Sequence, residues 1–248
     1  MAETYLLISN PPHGEIEAQD VAKVFGFTPI EARMRVHFPA PEIWFASDDL
    51  GSLKESAGAL QRAGARVKII KGSLLSMIPL PDPVRSFSFD SDHFAAQLGS
   101  GTAMRLPYPA RAVMVASRPE DLTSEGSQDP IIGDHDLPPS ADTSFLDAFF
   151  LTDSEVLRTT IYWETVDYAG LGPDLKEEAK DNQKELVQQL KGRFPKHEID
   201  GRLVDAPAPK PTMVSGKTIP AILEMIDPAL RDLARADLRS RLAFLSKL

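Results

Sequence analysis

The stretch MIPLPDPV, residues 77–84, divides the chain into two regimes of hydrophobic periodicity. Three prolines in eight residues make a stiff extended segment that no helix runs through, so it is read as a linker and a domain boundary. Before it, apolar residues recur at the helical spacing between short apolar runs. After it they recur every second residue. A chain that changes period in this way is expected to fold as more than one domain.

In the first regime YLLIS reads as a strand ended by Asn10-Pro11-Pro12. Ala18, Val21, Ala22 and Phe25 then follow the stripe of a helix, and Gly26 stops it. Thr28-Pro29-Ile30-Glu31 offers an N-cap, a proline at the first helical position and a capping-box glutamate, so a second helix is expected from there to about His37. EIWFA is the next strand, and Ser47 is expected to cap a third helix through Leu50, Leu53, Ala57 and Leu60. Gly64 ends that helix before the strand ARVKII. The order is β-α-α-β-α-β over residues 1–76.

That order, with KVFGFTPIEAR at the junction of the first two helices and LQRAGARVKII at the end, resembles the C-terminal domain of the ribosomal stalk protein and the related Clp protease adaptor family. The likeness spans roughly residues 4–71. Both families are small non-enzymatic docking domains, so the resemblance implies protein recognition, with Lys23 and Arg33 at the place of the stalk domain's basic factor-binding face. The Clp adaptors hold an amine with acidic residues after the first strand, where this chain has NPPHGE.

From Arg85 the pattern is that of hairpins. Phe87 and Phe89 alternate with serines, DSD turns, and TAMRL, RAVMVA, FLDAFFL and VLRTTIYW continue the strands. A helix with Leu175, Ala179, Leu186 and Leu190 on one stripe follows and ends at Pro195. Asn182 falls on that stripe and is expected to pin the VDYAGLG loop. About six strands and one closing helix across residues 84–196 resemble a pleckstrin-homology or GRAM-like barrel. That family often binds phosphoinositides through clustered bases, and here Arg85 and Arg105 stand on the early hairpins.

Residues 197–248 read as a proline-rich linker and a helical tail. Arg231, Arg235 and Arg239 form a basic ridge, while Asp237 and Arg241 lie four apart within the apolar stripe of Leu230, Leu233, Ala234, Leu238 and Leu245. A charged pair in an apolar stripe suits an interface, so these five residues are expected to bind a partner. Charge is unevenly spread: between Arg118 and Ser144 seven carboxylates face one base, whereas from Pro228 five bases face two acids.

Several chemistries are excluded or unsupported. The chain has no cysteine, so disulfides, thiolate metal sites and cysteine nucleophiles are absent, and a cytoplasmic location follows as the expectation, with association to a membrane complex left open. Neither a signal peptide nor an apolar run of about 18 residues is recognised. A net charge of -9 argues against nucleic-acid binding. Gly216-Lys217-Thr218 ends like a phosphate loop, but Pro211 stands where the first glycine belongs and VDAPAPKPTM supplies no strand. The histidines at 13, 37, 93, 135 and 197 are dispersed. Asp134-His135-Asp136 is read as a solvated turn, and His13 beside Glu15 as an exposed loop histidine.

The sequence therefore points to an α+β chain: a small docking domain, an antiparallel barrel-like domain capped by a helix, and a helical tail. Its expected role is that of a non-enzymatic adaptor or accessory subunit of a larger assembly, without cofactor. A peripheral membrane protein using the basic C-terminal helix and the barrel, and an enzyme with an unrecognised site, stand as alternatives.

Overall fold

The computed structural model describes residues 3–117, 145–152, 155–204 and 235–248, and shows a mixed α+β chain. It divides into two compact units. One combines Met1–Ile78 with Asp205–Leu248, and the other is Pro79–Val204.

The first unit is built from β1 (Tyr5–Ser9), α1 (Ala18–Phe25), α2 (Pro29–Val36), β2 (Ile43–Ser47), α3 (Leu50–Arg62), β3 (Val67–Lys71) and α4 (Ser73–Met77), joined by the last helix, α6 (Arg235–Lys247). Its sheet runs β2-β1-β3 with both pairs antiparallel. Local chemistry sets the helix ends. Gly26 takes the left-handed conformation, φ 70°, and returns its N–H to Ala22. Thr28 and Glu31 exchange both capping-box bonds, Thr28 N donating to Glu31 Oε2 at 2.8 Å and Glu31 N to Thr28 Oγ1 at 3.3 Å. Those bonds hold the exposed Glu31 carboxyl below its usual range. α3 is capped two residues later than expected. Asp49 Oδ1 accepts from Gly51 and Ser52, while Ser47 ends β2 and its hydroxyl accepts from Asp49 N. At Gly64, φ 94°, an added Cβ would collide with the Glu15 carbonyl, so the turn before β3 needs glycine for backbone freedom and for space.

The second unit holds two sheets. β4 (Val84–Phe89), β5 (His93–Leu98) and β6 (Ala103–Pro107) form an antiparallel meander. β7 (Arg111–Ser117), β8 (Phe145–Leu151) and β9 (Val156–Tyr162) form a second, and after a 3-10 stretch (Tyr168–Asp174) and α5 (Ala179–Arg193) the strand β10 (His197–Leu203) joins β7 in parallel. Phe87, Phe94, Leu106, Phe150, Leu190 and Phe194 belong to one core.

Three expectations are corrected here. The strands do not close into a barrel among the described residues. β7 pairs with β10 instead of continuing the meander, so the helix expected to cap a barrel is followed by a further strand. The segment 197–248, read as linker and tail, is divided between the units: β10 belongs to the second and α6 to the first. The proline-dense stretch belongs largely to the second unit, where Asp82 O accepts from Thr160 N at 3.1 Å and from Thr159 Oγ1 at 2.7 Å. Asn182 is buried, as its stripe position implied. It pins Lys176, just after the 3-10 stretch, accepting from Lys176 N at 2.7 Å and donating to Lys176 O at 3.0 Å.

One charge pair is sealed inside the second sheet. Asp147 on β8 and Arg158 on β9 meet at 2.6 Å, both almost fully buried. Thr160 donates its hydroxyl to the same carboxylate, and Arg158 reaches Pro79 O at 3.3 Å. Removing one partner of such a pair strands the other charge away from water. Asp147→Ala is expected to lower stability by about 3–5 kcal/mol, and Asp147→Leu combined with Arg158→Met to recover part of that loss. Urea unfolding of both variants measures it, and a loss under about 1 kcal/mol for the single variant would show that the pair is hydrated.

Candidate docking face

Helix α2 carries its polarity the wrong way round for a helix that serves only its own core. Its inner face buries Ala32 and, unexpectedly, Arg35. The Arg35 guanidinium donates to Ile43 O at 3.2 Å, stands 3.9 Å from Glu42 and lies 4.8 Å over the Phe27 ring. Burial lowers the Arg35 pKa against the opposing pull of Glu42, and burial raises that of Glu42 against the pull of Arg35. The outer face instead presents Ile30, 72% exposed, and Met34, 45% exposed, one turn apart. Arg33 on α2, His37 at its C-terminal cap and Lys23 on α1 are exposed as well, with Lys23 paired to Asp20 at 3.2 Å. A buried arginine and an exposed apolar pair on one short helix are the informative exceptions in a surface. Sequence reasoning used Ile30 only as part of a cap and did not single out Met34.

Of the five residues expected to bind a partner, three side chains are described, those of Asp237, Arg239 and Arg241. Arg231 and the Arg235 side chain lie outside the described residues, as do the phosphate-loop-like stretch at 215–218, Asp134-His135-Asp136 and the acidic segment 118–144. Arg239 is half-buried with its guanidinium 4.8 Å over Phe38. Asp237 and Arg241 pair at 2.9 Å, and Arg241 also donates to Leu75 O at 2.7 Å and to Ile78 O. From Leu238 to Ser246 all positions but Arg239 are buried. The charged pair in the apolar stripe is thus satisfied by the protein's own carbonyls, Leu75 in α4 and Ile78 just after it, and of the expected basic ridge the one described side chain, Arg239, is half-buried.

His13 is corrected too. The ring is half-buried, its Nδ1 accepting from Arg66 N at 3.1 Å and its plane lying 5.2 Å from that of Trp44 between centroids. An imidazole that accepts there is neutral, and burial, followed by the Arg66 charge, holds it below its ordinary 6.5. This is a half-buried histidine tied to the backbone at Arg66, not the exposed loop histidine expected.

In the second unit His93 is gripped between Asp90 at 2.7 Å and Asp92 at 2.6 Å, and its hydrogen bond lowers the Asp92 pKa. Arg105, one of the two bases noted for head-group binding, stands 4.0 Å from Asp90, and Arg193 lies over Phe89 and Tyr108 at 5.0 and 5.6 Å. These contacts set carboxylates and rings against the cations at that hairpin. Among the described residues no three metal-ligating side chains converge, and no helix is long and apolar enough to cross a membrane. No family model, curated protein or solved structure matches the chain.

The lowered His13 pKa has a definite sign. The unfolded chain takes up the proton first as pH falls, so the stability held by neutral His13 is complete above about 6.5 and is lost as pH drops through the lower folded-state value. His13→Gln keeps an acceptor for Arg66 N without the titration. The wild type is expected to lose stability relative to this variant between about pH 7 and 5. Thermal melts of the two across that range check it, and parallel pH profiles would contradict it.

Proposed function

We propose that the protein is a non-enzymatic adaptor or accessory subunit that binds another protein within a larger assembly through the outer face of α2. The observation that carries this reading is the inverted helix: Ile30 and Met34 exposed, Arg35 buried. The apolar pair offers the anchor of an interface and Arg33, Lys23 and His37 its polar rim. The β-α-α-β-α-β order of the first unit supports the likeness to the stalk and Clp-adaptor docking domains, in which recognition rather than chemistry is the role. The meander, the second sheet and α5 accord with a protein-binding domain. The Asp90 carboxylate near Arg105, together with the stacking of Arg193 on Phe89, weighs against a lipid head group at that hairpin, where Arg85 alone is an exposed base without an ion pair among the described residues. The cysteine-free composition suits a reducing, cytoplasmic compartment.

Ile30→Glu with Met34→Gln tests the reading. Both sites are exposed, so stability is expected to stay within about 0.5 kcal/mol per substitution. Quantitative pull-down from native extract should show the partner that the wild type retains depleted at least tenfold on the double variant. Retention of the same partners at the same levels would overturn the α2 face as the docking site.

A further inference from the structure

The sheet of the first unit is covered on both faces, and the two covers differ in kind. Leu7 stands opposite Phe45 and Ile69 across the strands, and Phe45 stacks on Phe25 of α1 at 5.2 Å, so this face belongs to the helices that precede and follow β2. Leu6 stands opposite Ile70 and Ile8 opposite Lys68, which share the other face. There the Lys68 ammonium donates to Leu245 O at 3.1 Å, in the last turn of α6. Leu6 and Ile8 are fully buried and Ile70 nearly so.

α6 brings apolar side chains to its place, Leu238, Leu242, Phe244 and Leu245, but also a load of polar groups that an interior element rarely carries. Arg241 is 2% exposed, with its charge met by Asp237 and by the carbonyls of Leu75 in α4 and Ile78 just after it. Ser240 is fully buried, and its hydroxyl has no hydrogen-bond partner among the described residues. Arg239 lies on Phe38, with Glu42 close enough to feel its charge. When the helix leaves, each of these groups regains water, which offsets part of the apolar area that becomes exposed. An element held in this way opens more readily than the strands it covers.

We propose that α6 is a detachable strap, latched by Arg241 on α4, whose opening uncovers the Leu6–Ile8–Ile70 face of the sheet while β1, β2 and β3 stay paired. The strap and the face it hides are an internally satisfied interface, independent of the α2 face.

Hydrogen exchange on the full-length chain decides the matter. Amides of residues 239–246 are expected to exchange at least tenfold faster than those of Leu6, Leu7 and Ile8. Arg241→Met should accelerate α6 a further tenfold or more and leave the β1 amides unchanged. Ser240→Ala, which removes the unsatisfied hydroxyl, should slow α6 alone. If α6 and β1 exchange at one rate, and the substitutions shift both together, α6 opens only with global unfolding and the strap is refuted. Should Arg241→Met fail to fold, Ser240→Ala decides by the same two outcomes.

Discussion

The first unit depends on a strand that has no polar side. Leu6, Leu7 and Ile8 are consecutive and all are fully buried, so β1 needs an apolar cover on each face of the sheet. α1 and α3 supply one. On the other face Lys68 donates to Leu245 O of the helix from the far end of the sequence, and Met1–Ile78 and Asp205–Leu248 form one unit, with Pro79–Val204 inserted in sequence between its two parts. Leaving Leu6, Ile8 and Ile70 bare would cost about 1.5–3 kcal/mol each, which favours a covered face. Ser240 pulls the other way, because closing takes from water a hydroxyl that is unpartnered among the described residues.

From this constraint comes the contrast between α2 and α6. Both helices mix polar and apolar residues without a clean division, and both invite the reading of an interface. In α6 the mixture faces inward and is answered by Leu75, Ile78, Phe38 and Lys68. In α2 the arginine faces inward and the apolar residues face out. A charged residue in an apolar stripe is therefore ambiguous evidence of docking, whereas an apolar pair left in water after the fold is complete is the stronger sign.

Much of the first unit was legible because its signals are local. Gly26, the Thr28–Glu31 box and Gly64 act over three or four residues, and each sits where the pattern placed it. The run YLLIS also carried the demand for a second cover, since it lacks the alternation of a one-sided strand. What it could not reveal was the donor of that cover, more than 200 residues away. β10 escaped notice because HEIDGRL is largely charged and one of its buried positions is Asp200, held by Arg202 at 2.9 Å, rather than a hydrophobe. Strand count could not decide between a closed barrel and two sheets, because closure depends on which edges pair. The exposure of Ile30 and Met34 was hidden for a similar reason: whether they point inward depends on the rotation of α2, in which Arg35 turns in to donate to Ile43 O.

The central claim is that Ile30 marks the surface at which the chain meets another protein. A photo-crosslinking amino acid placed at position 30 of the full-length chain, with the same substitution at the exposed Lys191 of the second unit as the control, tests it most directly in native cells. The account predicts a discrete protein adduct at position 30 that is lost when Met34→Gln is added and is absent at position 191. No adduct at position 30, or the same adducts at both positions, would contradict it.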